Sequence, residues 1–440
     1  MNGAQTAFSS SPAEIEIERL VYGGAGLGRL DGLVVLVEGA LPGERVEAEI
    51  VERRRRYARA RLHRVLRASP FRVEPPCPVF GRCGGCSLLH ADYTLQLAAK
   101  TQFARDAFRR RPDQAARVRD IVPAPQPMRF RNRMSYSIAP TPEGPVVGLH
   151  ARGDPSLIVP AHTCVLCPEW HGEFLRQTAA VLTRAGAEPT LARRLDLREG
   201  RRTGQRMVVL APPPPAAVLD AWRRACGPLV DTIVIARKLA ADGTPISSHP
   251  IQGRGRIEER LGRWTFEIEP RVFFQTFTEQ AETMFRAAAE LAAELKPTRV
   301  VELYAGIGAW TAFLSEVAET VVATEISEPA VAAARRNLRR NGIHNVRFLQ
   351  ADAARFLPPT GEPPPDIVAF DPPRAGLDSA ARDAILRCRA PALLYLSCDP
   401  MTLARDADFF QAHGYRLDSV QPFDLFPQTY RVECVARFRR

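Results

Sequence analysis

Lysine is almost missing from this chain of 440 residues: Lys100, Lys238 and Lys296 are the only three among 60 basic residues, and arginine supplies the rest. Long apolar runs are missing too. The longest, such as Leu33–Val37 and Ala392–Leu396, reach five residues, against about 20 for a bilayer-spanning helix, so no helical membrane anchor is expected. The first twenty residues hold no basic start followed by an apolar stretch, so we expect no secretory signal and a soluble, cytoplasmic protein. Nine cysteines are too sparse for a disulfide scaffold. With 45% apolar and 25% charged residues, a wholly disordered chain is excluded. The length predicts two to four domains.

Positive charge is present and unevenly placed. The net charge is +11, yet residues 51–67 hold eight arginines against one glutamate, and residues 101–133 hold nine arginines against three aspartates. The rest of the chain is therefore close to neutral. Two basic patches on a neutral body suit a phosphate-bearing partner.

The organisation is tripartite. Residues 1–12 read as a flexible N-terminus. Residues 13–68 carry short β-type runs, Leu33–Val37 and Val46–Ile50, after the glycine-rich Gly23–Gly28, which predicts a small β-barrel with Arg53–Arg56 at the end of its last strand. Residues 69–270 are mixed, and a helix is predicted over Tyr93–Arg111 from apolar positions Leu95, Ala98, Phe103 and Phe108. From residue 271 to 440, strand-like Val300–Tyr304, Val321–Glu325, Val346–Leu349, Ile367–Phe370 and Leu393–Ser397 alternate with helical stretches. That pattern predicts an α/β, Rossmann-like doubly wound sheet.

The first of these strands runs into Tyr304-Ala305-Gly306-Ile307-Gly308, a glycine turn before a helix near Trp310. Glu325 closes the second strand, where a carboxylate can accept from both ribose hydroxyls, and Asp352 follows the third, within reach of an adenine edge. A dinucleotide site would show a third glycine, but position 311 is Thr. The shorter turn with acidic strand ends favours S-adenosylmethionine.

Asp371-Pro372-Pro373-Arg374 follows the fourth strand and Ser397-Cys398-Asp399-Pro400 the fifth, both at carboxyl ends where open α/β sheets bind ligands. Amine methyltransferases place an aromatic residue after such a D-P-P run; Arg374 stands there. Cys398 instead suggests covalent catalysis at carbon. Thiolate addition to carbon 6 of uracil makes carbon 5 nucleophilic, and a base must later remove the carbon 5 proton. Glu433 is the candidate base. A free cysteine is most often a small buried apolar residue, but one in a polar S-C-D-P turn beside a cofactor fold is out of place in that role.

A separate trio, Cys77, Cys83 and Cys86, sits in a proline- and glycine-rich loop. With Cys164 or Cys167 it makes a four-thiolate set, compatible with structural zinc or an iron-sulfur cluster.

Three runs carry a resemblance: Asp371-Pro-Pro-Arg-Ala-Gly-Leu, Ser397-Cys-Asp-Pro-Met-Thr-Leu-Ala-Arg-Asp, and Phe426-Pro-Gln-Thr-Tyr-Arg-Val-Glu433. Together they resemble the RNA uracil-C5 methyltransferases, and the glycine-rich N-terminus is similar to a TRAM domain, an OB-like RNA-binding barrel. The resemblance spans nearly the whole chain. It implies Cys398 as nucleophile and Glu433 as general base. It also implies S-adenosylmethionine contacts from Gln275, Tyr304, Gly306, Gly308, Glu325, Asp352 and Asp371. For the central domain it implies a 4Fe-4S cluster on Cys77, Cys83, Cys86 and Cys164 in preference to zinc. The barrel with the cysteine set points to 23S ribosomal RNA ahead of transfer RNA, acted on by a monomer without a membrane partner. The chain departs from the family pattern at Ala309 (commonly Asn), Phe277 (Asn) and Arg431 (His). These departures leave open a non-catalytic RNA-binding protein that keeps the fold. Cytosine-C5 methylation is disfavoured because the Asp371 loop lacks the proline-cysteine pair of RNA cytosine enzymes.

Overall fold

The computed structural model describes residues 12–141, 144–184, 194–240, 243–357 and 361–440. The N-terminal segment expected to be flexible lies outside the described residues apart from Pro12.

Ala13–Leu20, Gly26–Leu30, Leu33–Glu38, Arg45–Arg53 and Tyr57–Arg67 close into a five-stranded barrel. Its interior is filled by Ile15, Ile17, Val35, Val37, Val46, Ala48, Ala58 and Ala60. Gly28 is required by close approach: a Cβ there would sit 2.4 Å from the Glu16 carbonyl oxygen. Arg53–Arg56 do not end the last strand, as the sequence pattern suggested. Arg53 ends the fourth strand and Arg54–Arg56 form the turn into a fifth, Tyr57–Arg67, whose small inward alanines and outward arginines leave almost no hydrophobic alternation to read.

The middle of the chain builds a seven-stranded sheet from Arg133–Ala139, Val146–His150, Ile158–Pro160, Arg194–Glu199, Arg206–Ala211, Thr232–Leu239 and Pro245–Gln252. Helices Glu169–Arg184 and Ala216–Cys226 pack on it through Phe174 and Trp222.

The C-terminal sheet consists of β1 (Arg299–Leu303), β2 (Thr320–Glu325), β3 (Val346–Gln350), β4 (Ile367–Phe370), β5 (Ala392–Ser397), β6 (Arg416–Phe423) and β7 (Glu433–Arg439). Their spatial order is β3-β2-β1-β4-β5-β7-β6, with β1 to β5 parallel and β7 antiparallel to both β5 and β6. Alternate residues of each strand feed opposite faces. Val300, Ala369 and Leu394 pack with helix Thr278–Ala293, whereas Val301, Val368, Leu393 and Tyr395 pack on the other face.

That second face is covered by helices Ser379–Arg387 and Pro400–Ala412 and by a helix from much earlier in the chain, Tyr93–Ala107, through Phe103 and Ala104. The early helix stops at Ala107, short of the predicted Arg111, where Phe108 and Arg109 amides turn back to the Arg105 and Asp106 carbonyls and Pro112 lies ahead. Ala98, expected on its apolar face, is exposed, while Gln96 and Lys100 are buried. The chain then runs alongside β6: the Arg119 amide donates to Val420 O and the Val122 amide to Pro422 O, at 2.9 Å each, which covers the sheet edge.

Candidate active site

β1 ends at Leu303 and the chain turns sharply, with Tyr304, Gly306 and Gly308 at φ of +63°, +57° and +82°. A Cβ at Gly306 would meet nothing within 4 Å, so backbone conformation, not crowding, calls for glycine there. The Gly306 amide donates to Glu325 Oε2 at 3.0 Å and the Ser327 amide to Oε1 at 2.8 Å, fixing the carboxylate at the end of β2. Asp352, past β3, accepts from the Ala354 amide at 3.0 Å. A cleft at the β1 turn is lined by Phe273, Gln275, Glu302, Tyr304, Gly306, Ala309 and Asp371. Asn132 braces its rim by donating to Gln275 O (2.8 Å) and Thr278 Oγ1 (3.0 Å). It does so beside Phe277, which stacks on Phe130 with centroids 4.7 Å apart.

Glu302 is the residue of this cleft that sequence reading missed. It is 1% exposed, and its Oε2 and the nearby Thr311 Oγ1 lack partners among the described residues. Burial pushes its carboxyl up to about 8, opposed by the Thr311 hydroxyl, which lies near it without a well-formed hydrogen bond, and helped by the neighbouring Asp371 and Glu325. An acidic cleft with an unpaired buried carboxyl oxygen fits a ligand bearing positive charge, such as the ammonium and sulfonium of S-adenosylmethionine. The sequence signal was an acid inside the apolar strand Val300-Val301-Glu302-Leu303.

The sign of its pH effect follows from that shift. Below pH 4.5 both folded and unfolded chains hold the proton. Above it the unfolded chain releases the proton first, so folding is penalised increasingly up to about pH 8. Glu302→Gln will therefore raise the melting temperature by several degrees at pH 8 and leave it unchanged at pH 4 by calorimetry, while titration shows at least about tenfold weaker S-adenosylmethionine binding. An equal gain at both pH values would assign the effect to packing.

β5 delivers Cys398 and β7 delivers Glu433. Ser397 pairs with Cys434 in their antiparallel register, so the next positions outward, Cys398 and Glu433, stand side by side at the open end. Glu433 is buried. Burial and the neighbouring Asp371 hold its carboxyl well above the ordinary range, opposed by Arg431. Burial likewise raises Asp371. The Cys398 thiol is pushed up to about 12 by burial, then by Glu433, Asp371 and Asp399, with Arg374 alone acting toward the thiolate among these neighbours. The two motif loops are fastened to each other: buried Asp406 accepts from the Leu377 amide (3.1 Å) and Tyr395 hydroxyl (2.9 Å) through Oδ2, and Arg405 donates to Leu377 O at 3.0 Å.

Comparison with known proteins bears directly on this arrangement. A family model described as tRNA (Uracil-5-)-methyltransferase matches residues 246–358 and 365–440, and a TRAM domain model matches residues 12–63. A Gloeobacter violaceus chain named as an uncharacterized RNA methyltransferase is 36% identical over 97% of this chain and 96% of its own.

The chain belongs to the RNA uracil-C5 methyltransferase family.

A Chlorobaculum tepidum chain, likewise named an uncharacterized RNA methyltransferase, is 34% identical over 93% of this chain and 92% of its own. The crystal structure of Pyrococcus abyssi tRNA (uracil-54, C5)-methyltransferase with S-adenosyl-L-homocysteine superposes with a TM-score of 0.75 at 26% identity, covering 96% of this chain and 99% of that one. This chain is thus an RNA methyltransferase, a transferase, with a methyltransferase sheet and an N-terminal TRAM barrel. Among its described residues no helix is long and apolar enough to cross a membrane.

In this methyltransferase a second cavity, of about 560 Å³, is lined by Cys77, Cys83, Cys86 and Cys164 together with Arg131, Tyr430 and Arg431. Cys167 is buried and lines a different cavity, with His162 and His171. Pairing of Arg129 and Arg131 amides with Val165 O and Leu166 O, at 2.9 and 3.0 Å, brings Cys164 opposite the other three. Among the described residues no three acidic, histidine or cysteine side chains converge closely enough to hold a single metal ion.

The segment leading to Glu433 is locked by residues that the sequence did not flag. Lys100 Nζ donates to Asp424 Oδ1 (2.5 Å) and Phe426 O (2.9 Å), fully buried. The Tyr93 hydroxyl donates to Asp424 Oδ2 at 2.8 Å, and Gln96 exchanges hydrogen bonds with Gln428. The Ser87 and Leu88 amides, next to Cys86, both donate to Gln428 O at 3.0 Å. One available signal was the use of lysine at all in so arginine-rich a chain: a buried point charge with three donors suits this corner better than a planar guanidinium.

The barrel arginines are less uniformly free than the sequence suggested. Arg54 and Arg59 pair with Glu52, Arg64 with Glu47 and Arg67 with Glu16. Arg53, Arg55 and Arg56, grouped at the end of Arg45–Arg53 and in the turn after it, have no ion-pair partner among the described residues. Replacing these three with glutamine should weaken RNA binding and flatten the salt dependence by about two units of log K per log salt, with S-adenosylmethionine affinity unchanged, as read by filter binding over a salt series. The same change at Arg59, Arg64 and Arg67 should do much less.

Proposed function

We propose that this methyltransferase transfers a methyl group from S-adenosylmethionine to carbon 5 of a uridine in RNA through a covalent adduct of Cys398 with carbon 6. What carries the reading is the side-by-side placement of Cys398 and Glu433 at adjacent strand ends, beside the cleft lined by Gln275, Tyr304 and Asp371. Bound S-adenosylmethionine supplies an electrophilic methyl on its sulfonium. Gln275, Tyr304, Gly306, Gly308, Glu325, Asp352 and Asp371 are the residues proposed to hold it. Cys398 adds to carbon 6 of an unstacked uridine, which makes carbon 5 a nucleophile toward that methyl. Glu433 then takes the carbon 5 proton, and the thiolate leaves by elimination. The base must be ionised for this step, and Arg431, in place of the family's histidine, is a fixed cation that favours the ionised form.

Cys77, Cys83, Cys86 and Cys164 are proposed to hold a 4Fe-4S cluster. Four cysteines lining one cavity are compatible with a polynuclear group, and the family resemblance favours it over one zinc ion. A cluster there would tie the Cys77–Cys86 loop to Cys164, in a cavity also walled by Phe426, Thr429, Tyr430 and Arg431 of the segment leading to Glu433.

The proposed substrate is 23S ribosomal RNA. A second reading, transfer RNA, is favoured by the full-length likeness to the Pyrococcus abyssi enzyme, whose match includes the barrel region. Incubation of both RNAs with methyl-labelled S-adenosylmethionine, followed by nucleoside analysis, tests the function: 5-methyluridine is expected, and label on an amine or on cytidine would refute it. The RNA that accepts label at the lower concentration decides between the two substrates. A cytoplasmic monomer acting on RNA is part of this proposal.

A further inference from the structure

The N-terminal barrel reaches the catalytic centre. Between its first two strands the loop Val21–Gly24 carries Tyr22, whose hydroxyl donates to Asp399 Oδ2 at 3.0 Å. The Tyr22 ring stands edge-on to Tyr430 (centroids 5.3 Å apart, planes at 87°) and to Phe103 (6.1 Å). Asp399 directly follows Cys398, and its other oxygen, Oδ1, accepts from the Met401 amide at 2.9 Å to cap helix Pro400–Ala412. Arg374 Nε lies 3.7 Å from the same Oδ2 that Tyr22 occupies. Its Nη2 is 3.5 Å from the Tyr430 hydroxyl. A charge-assisted guanidinium–carboxylate contact normally closes to about 2.8 Å, so Arg374 makes only a loose ion pair with Asp399 and also contacts the Tyr22 hydroxyl that stands between them.

We propose that Tyr22 is a positioning residue of the methyltransferase: by filling Oδ2 of Asp399 it keeps Arg374 out of a tight ion pair and leaves the guanidinium available to the Cys398 sulfur. The barrel then completes the active site as well as holding RNA. This rests on the covalent reading above. The charged groups that act on the sulfur are Glu433, Asp371 and Asp399, which oppose the thiolate, and Arg374, which favours it. Losing Arg374 to Asp399 would remove the one favourable charge of that set.

Tyr22→Phe deletes the hydroxyl and keeps the ring. Two readouts apply. In protein without RNA or S-adenosylmethionine, iodoacetamide alkylation of Cys398 at pH 8, followed by peptide mass spectrometry, should slow at least threefold. With RNA, kcat should fall about tenfold, with KM for RNA and Kd for S-adenosylmethionine within twofold of the parent. Arg374→Gln should slow alkylation similarly, and adding Tyr22→Phe to it should change nothing further. Wild-type alkylation in Tyr22→Phe, or an undiminished Tyr22→Phe effect in the Arg374→Gln background, would overturn the proposal. Alkylation needs no RNA, so it stands as a test even if the parent enzyme were found to methylate something other than uridine.

Discussion

Alanine in place of Cys398 will abolish methyl transfer to RNA, with a loss of at least about 10⁴-fold in kcat, and will leave S-adenosylmethionine affinity within twofold. Removing a nucleophile that acts in concert with a base costs this much because the remaining groups do not supply another route. The nearest alternative thiol, Cys434, is fully buried and packs with Phe370, Val432 and Phe438 in the core beneath the site, so it does not substitute. Cys398 belongs to no such packing cluster, and it is half-buried at the mouth. Its thiol is raised to about 12 by burial and by three carboxyls, so the resting enzyme holds it protonated at neutral pH. Alkylation of the free enzyme at Cys398 should therefore keep rising with pH beyond 9. Single-turnover assays with labelled S-adenosylmethionine measure the loss; residual activity above 1% in Cys398→Ala would require another mechanism.

The second large effect is expected from Glu433→Gln. Turnover should fall about 10³-fold, but the protein should accumulate on RNA as an adduct that survives denaturing electrophoresis, because addition through Cys398 proceeds while the elimination that frees it stalls. Glutamine preserves the size of a side chain that is 3% exposed at the start of β7, so the fold should survive. The nearest competing base is Asp371, which shares the same buried neighbourhood and raises the Glu433 carboxyl. Full turnover in Glu433→Gln together with adduct accumulation in Asp371→Asn would transfer the role to Asp371.

Parts of this molecule were legible in its sequence for identifiable reasons. The cofactor turn left a trace because Gly306 and Gly308 sit in left-handed conformations that few other residues adopt. Their motifs mark Cys398 and Glu433 as candidates, and the antiparallel register of β5 and β7 explains why residues so distant in sequence meet. The central sheet was legible only in part: the apolar runs Met207–Leu210 and Thr232–Ala236 are strands of it, but its pairing was not readable, because neighbours Arg133–Ala139 and Arg194–Glu199 come from distant parts of the segment. The helix Tyr93–Ala107 misled because its buried face includes Gln96, Lys100 and Thr101, which hold Gln428, Asp424 and the Ile121 amide respectively and do not fill a core. Glu302 was passed over as a strand residue and Tyr22 was not singled out, because what marks them is their neighbours more than 60 residues away in sequence, Asp371 and Asp399.

The proposed covalent attack of Cys398 on uridine is open to direct capture. RNA carrying 5-fluorouridine at the target position has no carbon 5 proton for Glu433 to remove, so methyl transfer should proceed and the adduct should persist. After incubation with enzyme and S-adenosylmethionine, digestion and mass spectrometry should find a methylated fluorouridine nucleotide attached to the peptide containing Cys398. An adduct on any other residue, or none from an enzyme that methylates unmodified RNA, would contradict this account of the site.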